Sequence, residues 1–194
     1  MANRAPQQAP QQAPENPNSA SHVNPGAANA SGGKPEAVRF MLVCWAIMIG
    51  GELLHQVLTA AALLWDPSEL IANAKQARPG EAISEGLLNL AVWSSVIVMA
   101  LIQLTILALF VAALSAINKQ RKWAGNARRM LQIFSVFFAL RALAVFAVRP
   151  TSTVIPLAFH AFDGVVQIML AVAGVLGLIY ASQKESAEWV EKGA

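Results

Sequence analysis

From Glu85 to Ile117 the chain runs for about 33 residues with its only charge at the first position, a length of about 50 Å at helical rise. Roughly 20 residues already cross a hydrocarbon core, so this run spans a membrane with a tilt or with a projection at its cytoplasmic end. Three further apolar runs, at about 38–65, 127–148 and 155–181, are also long enough. Charge is confined to tails and connections. Only 13% of residues are charged against 56% hydrophobic, where a soluble domain carries about 25% charge, and the mean hydropathy is +0.48. The pattern predicts an all-α, four-transmembrane-helix bundle over 37–182 and excludes a water-soluble domain.

Residues 1–36 contain no aromatic residue, one Val before Pro35 and a short Ala-Pro-Gln-Gln repeat, so they have little to bury against the cost of ordering and read as a disordered cytoplasmic tail. The first apolar run is far longer than a signal-peptide core and reads as an uncleaved anchor. Residues 183–194 read as a short cytoplasmic C-terminal tail, with Trp189 at a frayed helix end. The single cysteine, Cys44, excludes an intramolecular disulfide and reads as a packing residue.

Orientation follows from the basic residues. Arg4, Lys34, Arg39, Lys119, Arg121, Lys122, Arg128, Arg129, Lys184 and Lys192 collect on one side. Lys75, Arg78 and Arg149 fall on the other, and Arg141 lies inside a span. The positive-inside rule then puts both termini in the cytoplasm. The basic connection Lys119, Arg121, Lys122, Arg128 and Arg129, with Trp123 in its middle, suits anionic headgroups and calls for no nucleic acid. Trp65 and Trp123 read as interfacial anchors, and Trp45 and Trp93 also fall near span boundaries. Outside, "DPSELIANAKQARPG" predicts a short amphipathic helix. Asp66 caps it, Pro67 is its first residue, Glu69 closes a capping box, Leu70, Ile71 and Ala74 share a face, and Pro79 and Gly80 stop it.

Chemistry is concentrated in a few polar residues within the spans. At 100° per residue, Trp45, Glu52, His55, Gln56 and Thr59 form one stripe of the first span, and His160, Asp163, Gly164, Gln167, Ala171 and Gly174 form one stripe of the fourth. Arg141, flanked by Phe137, Phe138 and Val145, stands in the third. Isolated ionised groups are costly in a bilayer, so these residues are expected to pair in a buried polar cluster joining spans one, three and four. Counted from the outer boundaries, Asp163 and Arg141 lie about 12 Å deep, His55 about 15 Å and Glu52 about 20 Å. Arg141 therefore reaches Asp163 directly, and His55 or Glu52 by its long stem.

Four roles compete for the cluster: a structural clasp, a proton or ion relay with Glu52 as the titrating group, a metal site, and haem ligation by His55 and His160. Glu52-x-x-His55 and His160-x-x-Asp163 match the i, i+3 spacing of di-iron bundles, but the second and third spans supply no further carboxylate and Arg141 competes with a cation. Bis-histidine ligation needs rings at matched depth, whereas His55 and His160 differ by about 7 Å along the normal. No metal or other cofactor is therefore expected. The chain has no Walker A loop, G-x-G-x-x-G, G-x-S-x-G, CxxC pair or HExxH, and it reads as non-catalytic.

The Pro/Gln/Ala tail, "RKWAGNARRML" and "FDGVVQIMLA" give the chain a resemblance to small four-span membrane proteins of actinobacteria, mostly without assigned function. Some of these resemble accessory subunits of respiratory complexes. The resemblance implies a non-catalytic accessory or stabilising subunit of a larger membrane complex, with membrane-protein partners or a homo-oligomer around it. The alternatives from the residues themselves are a small transporter or proton-conducting protein and a haem-binding redox subunit.

Overall fold

The computed structural model describes residues 33–77, 84–147 and 154–192. Among these there are six helices and no strand: α1 (Glu36–Trp65), α2 (Ser68–Gln76), α3 (Glu85–Asn118), α4 (Ala124–Val145), α5 (Leu157–Ala181) and α6 (Lys184–Glu191). The tail up to residue 32, the Arg78 and Pro79-Gly80 stop, the Val148 end of the third expected span and Arg149 lie outside the described residues. So does the side chain of Glu69, the proposed closing member of the capping box.

Local chemistry sets the helix ends. α1 and α5 start directly after Pro35 and Pro156, whose missing N–H costs nothing at a helix entry. At α3 the Ser84 hydroxyl accepts from the Leu87 N–H, and Glu85 complements the positive end of the dipole. The Asp66 carboxylate accepts from the Ser68 N–H at 3.1 Å, so α2 begins one residue later than the sequence suggests.

α3 ends in a Schellman turn: Gln120 N–H donates to the Ile117 carbonyl and Arg121 N–H to that of Ala116. This requires the left-handed conformation at Gln120, φ 47°, where glycine is usual. The Gln120 amide in turn donates to the Trp189 carbonyl at 3.1 Å.

α1, α5, α4 and α3 form a ring in that order, closed by α3 against α1, so α1 and α4 are diagonal to each other. α2 rests on α3, and α6 closes one end against α4, α1 and α5. The expected C-terminal tail is thus largely a docked helix. Trp189, expected at a frayed end, donates its indole N–H to the Ile117 carbonyl at 3.0 Å. Apolar Val190 and the small Ser186 are buried beneath α6 while Glu185, Glu188 and Glu191 face outward, a pattern too short to stand out in the sequence.

α1, α3 and α5 are each long and apolar enough to cross a membrane, which makes this a multi-pass helical membrane protein by length and composition. Three helices meet that description, not the four expected. α4 falls short because Arg128 and Arg129 sit near its start and Arg141 near its end, leaving too little uncharged length between. The core between the helices is built on Met41, Trp45 and Met48 of α1, Phe110 of α3, Leu131 of α4 and Leu170 of α5.

Trp45, expected near a boundary, is fully buried. Its ring lies where a side chain at Gly177 would stand: a Cβ there would come within 2.5 Å of it. Phe110 meets Phe134 edge-on at 4.6 Å in the same layer.

Candidate functional site

Glu52, His55 and Gln56 occupy successive positions of one α1 face, as i, i+3 and i+4 residues must. Glu52 is buried and its carboxylate accepts three hydrogen bonds. Arg141 Nη1 donates to Oε1 at 3.1 Å and Nη2 to Oε2 at 2.5 Å, a fork meeting a fork, and Gln56 Nε2 adds a third to Oε1 at 2.7 Å. The pair bridges the diagonal of the ring, α4 to α1, which the long Arg stem makes feasible. Arg141 also holds its guanidinium over the Phe138 ring, 4.9 Å from the centroid, adding a cation–π contact.

A second carboxylate repeats the plan on α5. Asp163 Oδ1 accepts from His55 Nδ1 at 2.6 Å, and Oδ2 from Gln167 Nε2 at 2.9 Å. Each carboxylate thus has a glutamine four residues later on its own helix and a basic group from another. The chain of contacts runs Asp163 on α5, His55 and Glu52 on α1, Arg141 on α4. With Arg141 against two carboxylates, one proton held between His55 and Asp163 brings the cluster to zero net charge.

Of the partners that the sequence put within reach of Arg141, namely Asp163 directly and His55 or Glu52 by its long stem, the structure gives it Glu52. Direction, not depth, decides. Gly164 faces α4, where a Cβ would lie 3.5 Å from Val145, and Asp163, about 100° around the helix, faces His55 on α1.

Thr59, on the expected stripe, is exposed. His160 lies one turn from Asp163 on the same helix. Its Nε2 is buried without a hydrogen-bond partner, and its ring stands edge-on to Phe159. No hydrogen bond or ring contact joins it to His55. Among the described residues no group of three or more His, Cys, Asp and Glu side chains is placed to hold a metal.

Two polar features escaped the sequence. Trp45 Nε1 donates to Ser135 Oγ at 3.0 Å, and that hydroxyl donates to the Leu131 carbonyl at 2.8 Å, all within the buried core. The signal was a lone Ser in "IFSVFF", which on a helix falls on the face opposite Trp45. The basic connection also divides. Lys119, Arg121, Lys122 and Arg129 are exposed, whereas Arg128 is half-buried and donates Nη1 to the Ala181 carbonyl at 3.3 Å, capping the C-terminal end of α5.

A cluster whose two carboxylates accept from donors on α1, α4 and α5 is equipped to hold those helices together. No protein-family model matches the chain, and no curated protein and no solved structure matches it either.

Proposed function

We propose that this chain is a non-catalytic accessory or stabilising subunit of a larger bacterial plasma-membrane complex, with α1, α3, α4 and α5 all spanning the bilayer and both termini cytoplasmic. A respiratory complex is the type that the sequence resemblance favours. The observation that carries the reading is the Glu52–Arg141 fork across the ring diagonal. It cancels the charge that keeps α4 from reading as a span, and it commits the intramembrane ionic groups to internal contacts. Breaking a buried pair by removing one partner costs about 3–5 kcal/mol, so such a pair fixes the relative placement of the helices it joins.

An accessory role also accords with α3. From Trp93 to Leu109 no residue of α3 is buried, and large apolar side chains including Ile97, Met99, Leu101 and Leu104 are exposed. The bilayer covers part of that surface, and a neighbouring subunit covers the rest.

The test is purification of the full chain from native membranes in mild detergent, with mass spectrometry and an absorption spectrum on the same fraction. Stoichiometric companion subunits and no chromophore on this chain are expected. An isolated chain that binds haem or moves a solute would overturn the proposal.

A further inference from the structure

The charged and titratable groups of the candidate cluster, Glu52, His55, Arg141, His160 and Asp163, all lie in one half of the bundle's length. Glu52 is the innermost titratable group of the described core. From it to the start of α1 are 16 residues, about 24 Å. Over that depth Ser135 is the one buried polar side chain among the described residues until Ser186 beneath α6, and its hydroxyl is already used twice. Packing closes the same stretch. A Cβ at Gly174 would stand 3.0 Å from Met48 Sδ and one at Gly177 2.5 Å from Trp45, which leaves no width for a file of water.

Toward the α2 end the environment opens. Side-chain exposure rises from 7% at Glu52 to 16% at His55, 20% at Asp163 and 24% at Arg141. Two nitrogens in this half, Arg141 Nε and His160 Nε2, are buried without a partner, as are Arg128 Nε and Ser186 Oγ at the α6 end, beyond the packed Trp45–Met48 layer, although buried polar atoms are nearly always hydrogen-bonded. Water supplies both the donor and the acceptor that they need. Among the described residues, the other charged or titratable groups inside α1, α4 and α5 in this half are Glu52, Arg141 and His160, and from Trp93 to Leu109 α3 carries none.

We infer that the cluster is a one-sided binding site for water and protons, entered from the membrane face that carries α2 and closed toward the face that carries α6. Water joins His160 and Arg141, and a proton arriving from the α2 face is taken up between His55 and Asp163 and returns the same way. No group relays it past Glu52, because Trp45, Met48 and Ser135 fill the path. The inference rests on the four-span reading of the proposed function.

Single cysteines in a Cys44→Ala background, treated with a membrane-impermeant methanethiosulfonate on sealed vesicles of either orientation, test it. Asn73→Cys on α2 and Asn126→Cys at the start of α4 mark the two faces, and their modification from the same face would defeat the four-span reading separately. His160→Cys is expected to react more than about tenfold faster from the α2 face than from the other, and Ser135→Cys to stay unmodified from both. An inert His160→Cys, or a Ser135→Cys that reacts from the α6 face, would overturn the inference. A second measurement needs no substitution. Wild-type protein in liposomes under a pH gradient is expected to pass no protons above the protein-free control, and sustained flux would also overturn it.

Discussion

The two halves of α1 meet their neighbours in different ways. Toward the α6 end, Trp45 and Met48 fit against Gly177 and Gly174 of α5, and the contact is chiefly one of shape. Toward the α2 end, Glu52 and His55 replace shape with hydrogen bonds to α4 and α5. Lipid tails are as apolar as the side chains they would exchange with, so burial alone drives little helix association in a bilayer. Close packing and polar contacts remain, and this bundle relies mainly on the first toward α6, where Trp45 to Ser135 is the one buried side-chain hydrogen bond from α1 among the described residues, and on the second toward α2. The difference teaches that the polar half sets which helices pair, and the apolar half sets how closely they approach.

The largest expected effect breaks the polar half. Arg141→Ala leaves Glu52 buried and without its partner on α4, and should cost about 3–5 kcal/mol, read as unfolding in mixed micelles. A loss below about 1 kcal/mol would mean that the pair is not shielded from water. Next comes the apolar half. Gly177→Ala forces a methyl group into the Trp45 ring, and overpacking of this kind costs about 1–3 kcal/mol. Combining it with Trp45→Leu should recover part of the loss, and no recovery would place the clash elsewhere.

His55→Ala comes third. It removes one donor from Asp163 and leaves the Gln167 donor in place, so about 1–2 kcal/mol is expected, less than for Arg141→Ala. If the order of those two were reversed, the Glu52 fork would not be the stronger contact. The smallest effect lies outside both halves. Gln120→Gly relieves a left-handed conformation costing about 1 kcal/mol and gives up the hydrogen bond to Trp189, so thermal unfolding should move little in either direction. A large drop would show that the α6 contact holds more of the fold than its few residues imply.

How much of this was legible in the sequence follows from the same contrast. Charges inside apolar runs are conspicuous, so Glu52, His55, Arg141 and Asp163 could be named from the sequence, and the i, i+4 spacing placed Gln56 and Gln167 beside them. Pairing was not legible, because it depends on which helices are diagonal in the ring, and depth counted from span ends carries no direction. Trp45 misled for a related reason. A tryptophan seven residues before Glu52 suits either an interface or a core, and only the glycines of α5 decide between them. The Gln120–Trp189 contact depends on a left-handed non-glycine residue, which leaves no pattern in sequence.

The most direct test of the central claim, that the Glu52–Arg141 pair clasps α1 to α4, is a double-mutant cycle of Glu52→Gln, Arg141→Gln and the combined variant, read as unfolding free energy. The account predicts that the combined variant loses less than the sum of the two single losses, with a coupling of more than about 1 kcal/mol, because each single change strands a charge that the other would remove. Losses that add to within about 0.5 kcal/mol would contradict it, since residues that act independently show no coupling.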